Sequence, residues 1–389
     1  MRVLVMDWPA YGQQDMIEIM QKHNISVITY QFDHSKNRND EVFIHAFEEA
    51  LSQVKVDFVF SFNYFPVISN VCNRFHVKYV SWVYDSPQTS LYSLSIENPC
   101  NEVFLFDRYT CDELQSKGVQ TVHHLPLAVN VQRCRRMREQ MDEEKRKHFG
   151  GEVSFVGSLY DEKIDLFAHT EKMSDYTKGY LEAILEAQLK IQGYFFLEEM
   201  LQGTVLQELQ ESYAYSIENT LLSPTYVYAH YVLGRKLANM ERTRLLERIS
   251  KFFETKLYTY HETPQLPYVC NMGKVDYYKE MPYIFIGSKI NLNISLRSIR
   301  SGIPQRALDI IGMGGFLLSN YQQELYEYFV ADEEFVYYSE EEECVEKIKY
   351  YLKHEEERKK IAQRGMERVV QEFNYESRLK QIIETAAII

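Results

Sequence analysis

Residues 286–320 read IGSKINLNISLRSIRSGIPQRALDIIGMGGFLLSN, and the rest of the chain is understood from this stretch outward. Its pattern is strand, polar loop, helix, glycine turn, strand. Lys289 to Ser295 alternates and is rich in Ile, Leu and Asn, as a strand entering a site does. Arg297, Arg300 and Gly302 fall in the loop that follows. Pro304 suits the first turn of a helix, where an N–H would go unpaired in any residue. Ile303, Ala307, Leu308, Ile310 and Ile311 give that helix an apolar face. Gly312, Gly314 and Gly315 end it, and Phe316 to Leu318 open a buried strand.

This arrangement points to nucleotide capture. A helix N-terminus offers unpaired backbone N–H groups and a partial positive charge, which suit a diphosphate. Arg297 and Arg300 can add charge-assisted hydrogen bonds. Asp309 lies about one and a half turns into the helix, where a carboxylate can accept two hydrogen bonds from a ribose diol. An ordinary βαβ unit with two solvated arginines and an exposed Asp has the same spacing, because Gly-ended helices are common.

The 389 residues are too many for one ordinary core and fit two domains. A net charge of −13 excludes general nucleic-acid binding, so any cations that matter must be concentrated locally. The six cysteines are scattered without paired ligand spacing, which predicts no metal site and reduced thiols. RVLVMD (2–7) enters a strand without a signal-peptide pattern, and no apolar run approaches the ~20 residues of a membrane span. A cytoplasmic protein is expected.

From the N-terminus, strands are predicted at 2–7, 25–32, 56–62, 77–84, 103–106 and 119–125, with helices between most of them. That alternation describes a doubly wound domain over 1–130, with ligands at the carboxyl ends of its strands. Residues 131–150 are charged and helix-prone and read as the connection, with Arg133, Arg135, Arg136 and Arg138 forming a solvated face. A second α/β domain follows over 151–374. It opens with the strand at 152–156 and the turn Gly157-Ser158, whose backbone N–H groups can face a phosphate. Within it, 160–254 has helical patterning and few strand signals, which predicts a helical insertion and a surface available to a partner. A short helix is expected over 273–282, and a last helix, 375–389, ends apolar.

The pieces FVGS (155–158), GKVDYYKEMP (273–282), SKINLNIS (288–295) and GIPQRALDIIGMGGFLLSN (302–320) resemble the C-terminal half of the GT-B glycosyltransferases, in particular the CgeB-like (spore-maturation) family. The resemblance implies two Rossmann-like domains facing a cleft, with the terminal helix packed back on the first. It implies transfer of a sugar from a nucleotide-diphosphate donor, UDP-sugar favoured, to an acceptor glycan or protein, without a tightly bound metal. On this reading Gly157, Ser158, Lys289, Asn291, Gly302, Ile303, Pro304, Arg306 and Asp309 hold the nucleotide. Arg297 and Arg300 meet the leaving diphosphate, for which Lys289 and Arg306 are also within the local supply of charge.

An inverting enzyme also needs a base in the first domain. Asp85, which ends the strand KYVSWVY, is the choice, ahead of Asp7, Asp15 and His124. A retaining enzyme needs no such base. A sugar-nucleotide epimerase or hydrolase of the same shape, or a non-catalytic nucleotide- or sugar-binding scaffold, are the rival functions.

Overall fold

The computed structural model describes residues 1–34, 40–160, 172–213 and 221–387. These form two compact units, one gathering 1–130, 221–222 and 372–387, the other 131–213 and 223–371.

The first unit alternates β1 (Arg2–Asp7), α1 (Gln13–Lys22), β2 (Ser26–Gln31), α2 (Glu41–Gln53), β3 (Phe58–Phe62), α3 (Pro66–Arg74), β4 (Lys78–Val83), β5 (Asn101–Leu105), α4 (Arg108–Ser116) and β6 (Val122–His124). Its strands lie in the order β2-β1-β3-β4-β5-β6, all parallel. β3 is FVFSF and wholly buried, the near-continuous apolar run of a strand covered on both faces. Helix α2 starts where the Asp40 carboxylate accepts the Phe43 N–H at 2.7 Å.

The second unit begins with α5 (Val131–Glu139), α6 (Glu143–Phe149) and β7 (Gly151–Val156). A helical run follows, α7 (Asp175–Leu189), α8 (Leu197–Met200), α9 (Gly203–Ser212), α10 (Pro224–Tyr226), a π-helical turn (Val227–Leu233) and α11 (Gly234–Ser250). The sheet resumes with β8 (Thr255–Tyr258), β9 (Cys270–Asn271), α12 (Met281–Gly287), β10 (Ser288–Asn293), α13 (Gln305–Gly312), β11 (Leu317–Asn320), α14 (Gln323–Tyr328), β12 (Val336–Tyr338), α15 (Glu341–Lys353) and α16 (Glu355–Glu372). The order is β12-β11-β10-β7-β8-β9, again all parallel. Helix α17 (Tyr375–Thr385) belongs to the first unit, where Tyr375 packs edge-on against Trp82 and Lys22 pairs with Glu376 at 2.9 Å.

Strand order locates the crevices. In the first unit β1 is flanked by β2 on one side and β3 on the other, so the winding direction reverses between β1 and β3. In the second unit β7 lies between β8 and β10, and the reversal falls between β7 and β10. Ligands of doubly wound sheets sit outside the carboxyl ends of the strands at such points.

Several expectations need correction. The helix placed over 273–282 begins at Met281, because the Asp276 carboxylate accepts the N–H groups of Tyr278 and Lys279 and turns the chain first. Residues 131–150 are two helices of the second unit. Arg135 and Arg136 are exposed, but Arg133 is buried against the rings of Tyr277 and Tyr278, 5.1 and 5.3 Å from their centroids. Arg138 donates to the Gly312 carbonyl at 2.7 Å, satisfying an open carbonyl at the end of α13. The helical run between β7 and β8 has its own core, including Leu181, Leu185, Leu209, Leu233 and Leu237. The expected helical character at 161–171 and 214–220 lies outside the described residues. Among the described residues no helix is long and apolar enough to cross a membrane.

Candidate functional site

At the carboxyl end of β7 the chain runs Val156-Gly157-Ser158, and at that of β10 it runs Asn293-Ile294-Ser295. Two arginines converge on this edge. Arg306, in the first turn of α13, donates from Nε to Asn293 Oδ1 (2.9 Å), from Nη1 to the Val156 carbonyl (3.0 Å) and from Nη2 to the Ile294 carbonyl (3.0 Å). Arg242, buried on α11, donates from Nε and Nη2 to the same Ile294 carbonyl and from Nη1 to the Ser158 carbonyl. Both guanidinium groups lie over Phe155, at 4.8 and 5.2 Å from its centroid, and Arg242 also lies over Tyr160. Gly157 makes this approach possible, since a Cβ there would stand 2.7 Å from Arg306 Nη1.

Neither arginine has a carboxylate partner among the described residues. Burial first, and the neighbouring Arg242 charge next, push the Arg306 guanidinium down to about 9. A cation withdrawn from water without a counter-charge is costly, and here one buried and one partly buried guanidinium share one carbonyl and one ring. A guanidinium has five N–H donors. Three in each arginine are committed to the protein, leaving two in each for a ligand. Such an arrangement can accept an anion.

Around it stand the residues named from the sequence. Pro304 is the N-cap of α13 rather than its first helical residue, and Gly302 and Ile303 are buried just before it. Asp309 is buried; its Oδ1 accepts from Gln305 Nε2 at 3.0 Å and from the Tyr277 hydroxyl at 3.3 Å, and that hydroxyl accepts from Arg133 Nη2 at 3.4 Å. Arg306 and Asp309 are three residues apart on α13 and so lie on adjoining parts of one face.

Other named residues are not brought to this edge. Lys289 is exposed at the amino end of β10, 3.9 Å from Glu152, because strand direction carries it away from Ile294. Asn291 is fixed inside the sheet, accepting from Ser154 Oγ at 2.9 Å and donating to the Phe285 carbonyl at 3.1 Å. The Gly157 N–H is bonded to the Tyr258 carbonyl at 3.0 Å, so it does not face outward, and Ser158 Oγ accepts the Tyr160 N–H. Arg297 forms a two-pronged ion pair with Glu241 (3.1 and 2.7 Å), both side chains more than nine-tenths buried. Burial alone would depress Arg297, but the Glu241 charge and hydrogen bonds outweigh it and hold the guanidinium above its usual range. Arg300 reaches Glu198 Oε2 (3.3 Å) and His230 Nε2 (2.9 Å), the latter on the π-helical turn. The loop arginines thus tie 296–304 to the helical run.

Arg242 and Asn293 escaped the sequence reading, although a signal for Arg242 exists. Residues 242, 245, 246 and 249 follow helical spacing, and Leu245, Leu246 and Ile249 are the buried face. An arginine on that stripe is a buried charge needing a purpose.

In the first unit the crevice between β1 and β3 is edged by Asp7, Trp8, Asn63 and, just past β4, Tyr84 and Asp85. Asn63 adopts a left-handed φ of 58°; its carboxamide donates to Asp85 Oδ2 at 2.7 Å and accepts the N–H groups of Tyr84 and Asp85. That clamp holds the exposed Asp85 carboxylate at the sheet edge. Asp7 accepts from Gln13 Nε2 at 2.6 Å and from Gln31 Nε2. Asp15 is buried on α1, and His124 ends β6, two strands from β4. Among the described residues no group of His, Cys, Asp and Glu has the arrangement of a metal site.

Comparison with known proteins places this geometry in context. No curated protein sequence matches the chain. A family model described as glycosyl transferase-like matches residues 242–384. Solved structures match over essentially the full length at low identity. HepE from Anabaena in complex with UDP and glucose is 10% identical, with 100% of both chains covered and a TM-score of 0.53. Sucrose-phosphate synthase from Thermosynechococcus elongatus is 9% identical, covering 99% of this chain and 98% of that one, with a TM-score of 0.54. An E. coli trehalose-6-phosphate protein bound with UDP-2-fluoro glucose is 9% identical, covering 100% and 99%, with a TM-score of 0.59. The likeness is one of fold: this chain has the α/β architecture of the GT-B glycosyltransferases, with two parallel six-stranded sheets flanked by helices.

Proposed function

We propose that this chain is a glycosyltransferase of the CgeB-like kind, moving a sugar from a nucleotide-diphosphate donor, UDP-sugar favoured, to an acceptor. The observation that carries the reading is the pair Arg242 and Arg306, two cations without carboxylate partners among the described residues, at the point where the second sheet reverses its winding. A diphosphate supplies the missing negative charge. Its charge grows as the glycosidic bond breaks, so fixed cations stabilise the transition state more than the ground state. The N-terminus of α13 adds its partial positive charge, and Asp309 takes the ribose hydroxyls. Arg297 and Arg300 act by holding the 296–304 loop through Glu241, Glu198 and His230. The glycosyl transferase-like match over 242–384 includes Arg242, Arg306 and Asp309, and the HepE structures and the E. coli trehalose-6-phosphate protein of similar fold are complexes with UDP or a UDP-sugar. For an inverting reaction Asp85 is the proposed base.

Calorimetric titration with UDP, GDP, CDP and inorganic pyrophosphate tests the site. Saturable binding is expected for UDP and, more weakly, for pyrophosphate, with Asp309→Ala weakening UDP and leaving pyrophosphate unchanged. Absence of binding by all four overturns the reading.

A further inference from the structure

The crevice of the first unit carries chemistry that the nucleotide site does not use. Trp8 follows β1 and Tyr84 follows β4. Their ring planes lie within 9° of each other with centroids 6.3 Å apart. Tyr11 stands 6.3 Å from Tyr84, and His34 lies 5.1 Å from Trp8. The rings form a chain along the carboxyl edge instead of sinking into the core: Trp8 and Tyr84 are only half-buried and Tyr11 is 45% exposed. Trp8 is held in place, its indole N–H donating to the Phe62 carbonyl at 3.2 Å and its ring meeting Phe65 edge-on at 5.5 Å. Tyr84 is anchored through its backbone N–H by the Asn63 clamp. Asp7 and Asp85 flank the rings, each fixed by side-chain amides.

We propose that this edge binds a neutral sugar, with a pyranose face on Trp8 and Tyr84 and its hydroxyls donating to Asp7 and Asp85. An aromatic face suits the C–H side of a pyranose, while a carboxylate accepts from two adjacent hydroxyls. The same two carboxylates, on a chain of net charge −13, disfavour uronic acids and other anionic sugars. The position is the winding reversal between β1 and β3, where a ligand of this sheet is expected. Calling the sugar the acceptor rests on the glycosyltransferase reading; its binding does not.

The chain has two tryptophans, and Trp82 is fully buried, so Trp8 is the responsive fluorophore. Maltohexaose, cellohexaose, mannohexaose and chitohexaose are titrated against the whole protein while tryptophan emission and heat are recorded. At least one is expected to give saturable emission change and heat, the emission change vanishing in Trp8→Phe. Tyr84→Ala, shown folded by circular dichroism, should weaken binding roughly tenfold. The proposal is overturned if none of the four gives heat or an emission change, or if the change persists in Trp8→Phe. A parallel UDP titration separates the two ideas: sugar binding without UDP binding removes the transferase reading and leaves this site standing.

Discussion

Replacing Arg306 by Met removes one of the two uncompensated cations while keeping an apolar stem over Phe155. In the unliganded protein the loss should be mild. Ile294 keeps its bonds from Arg242, and only the Asn293 and Val156 oxygens lose a donor. Removing a guanidinium that burial already pushes down to about 9 relieves a desolvation cost and the repulsion from Arg242. The ligand feels the opposite. Hydrogen bonds to a charged group are worth about 1.5–3 kcal/mol, so UDP affinity should fall roughly 10- to 100-fold. Pyrophosphate, which has neither base nor ribose, should lose by the same factor. Calorimetry at two ionic strengths, beside urea unfolding of the same variant, separates the effects. An unchanged UDP affinity in folded Arg306→Met refutes the anion site, and so does a loss for UDP without one for pyrophosphate.

Arg297→Ala should behave in the reverse way, because it strands the buried Glu241 carboxylate; urea unfolding should show a loss of about 3–5 kcal/mol, and a loss below about 1 kcal/mol would return Arg297 to the list of ligand contacts. Glu343 accepts from the Ser339 N–H at 2.7 Å and from Lys347 at 2.8 Å; burial alone would raise it, but these bonds bring it down to about 2. Its folded value lies below the unfolded one of 4.5, so its contribution is complete above that pH and disappears as pH falls through about 2. Glu343→Gln should therefore cost about 1 kcal/mol at neutral pH and nothing below pH 2, measured by urea unfolding across that range. Asp85→Asn should retain UDP binding and, in an inverting reaction, slow transfer by about 10²–10⁴-fold; near-normal single-turnover transfer at saturating donor would remove it from the mechanism.

The alternation of strands and helices was legible because parallel strands buried on both faces leave long apolar runs such as VLVM at 3–6 and FVFSF at 58–62. The 302–315 motif was legible for the same local reasons: Gly314 takes a φ of 78° after α13, and Gly315 has no room for a Cβ, which would lie 2.6 Å from the Phe285 carbonyl. What did not show in the sequence were pairings across long separations. Nothing near Arg297 announces that Glu241, more than fifty residues earlier, will neutralise it. Nor does the pattern around Lys289 tell at which end of β10 the two arginines converge, since alternation gives the face of a strand and not the end. Arg242 carries only the faint signal of its place on the apolar stripe with Leu245, Leu246 and Ile249.

Charge pairing is what separates scaffold from site in the second unit, and the neighbours Glu241 and Arg242 show the distinction within two residues. Both are buried on α11. Glu241 finds Arg297, and the pair closes on itself; such a pair is costly to break and has no charge left for a ligand. Among the described residues Arg242 finds only carbonyls and rings, and its companion Arg306 does the same from another helix. Carbonyl oxygens orient a guanidinium without neutralising it. A fold that needed these arginines only for packing would be better served by neutral side chains of similar volume, since a buried cation such as Arg242 costs several kcal/mol and a partly buried one such as Arg306 adds to it. Two of them on one carbonyl, at the edge where a doubly wound sheet opens, make sense when an anion completes them. On a chain whose net charge is −13, two cations gathered at one sheet edge stand out as a local exception.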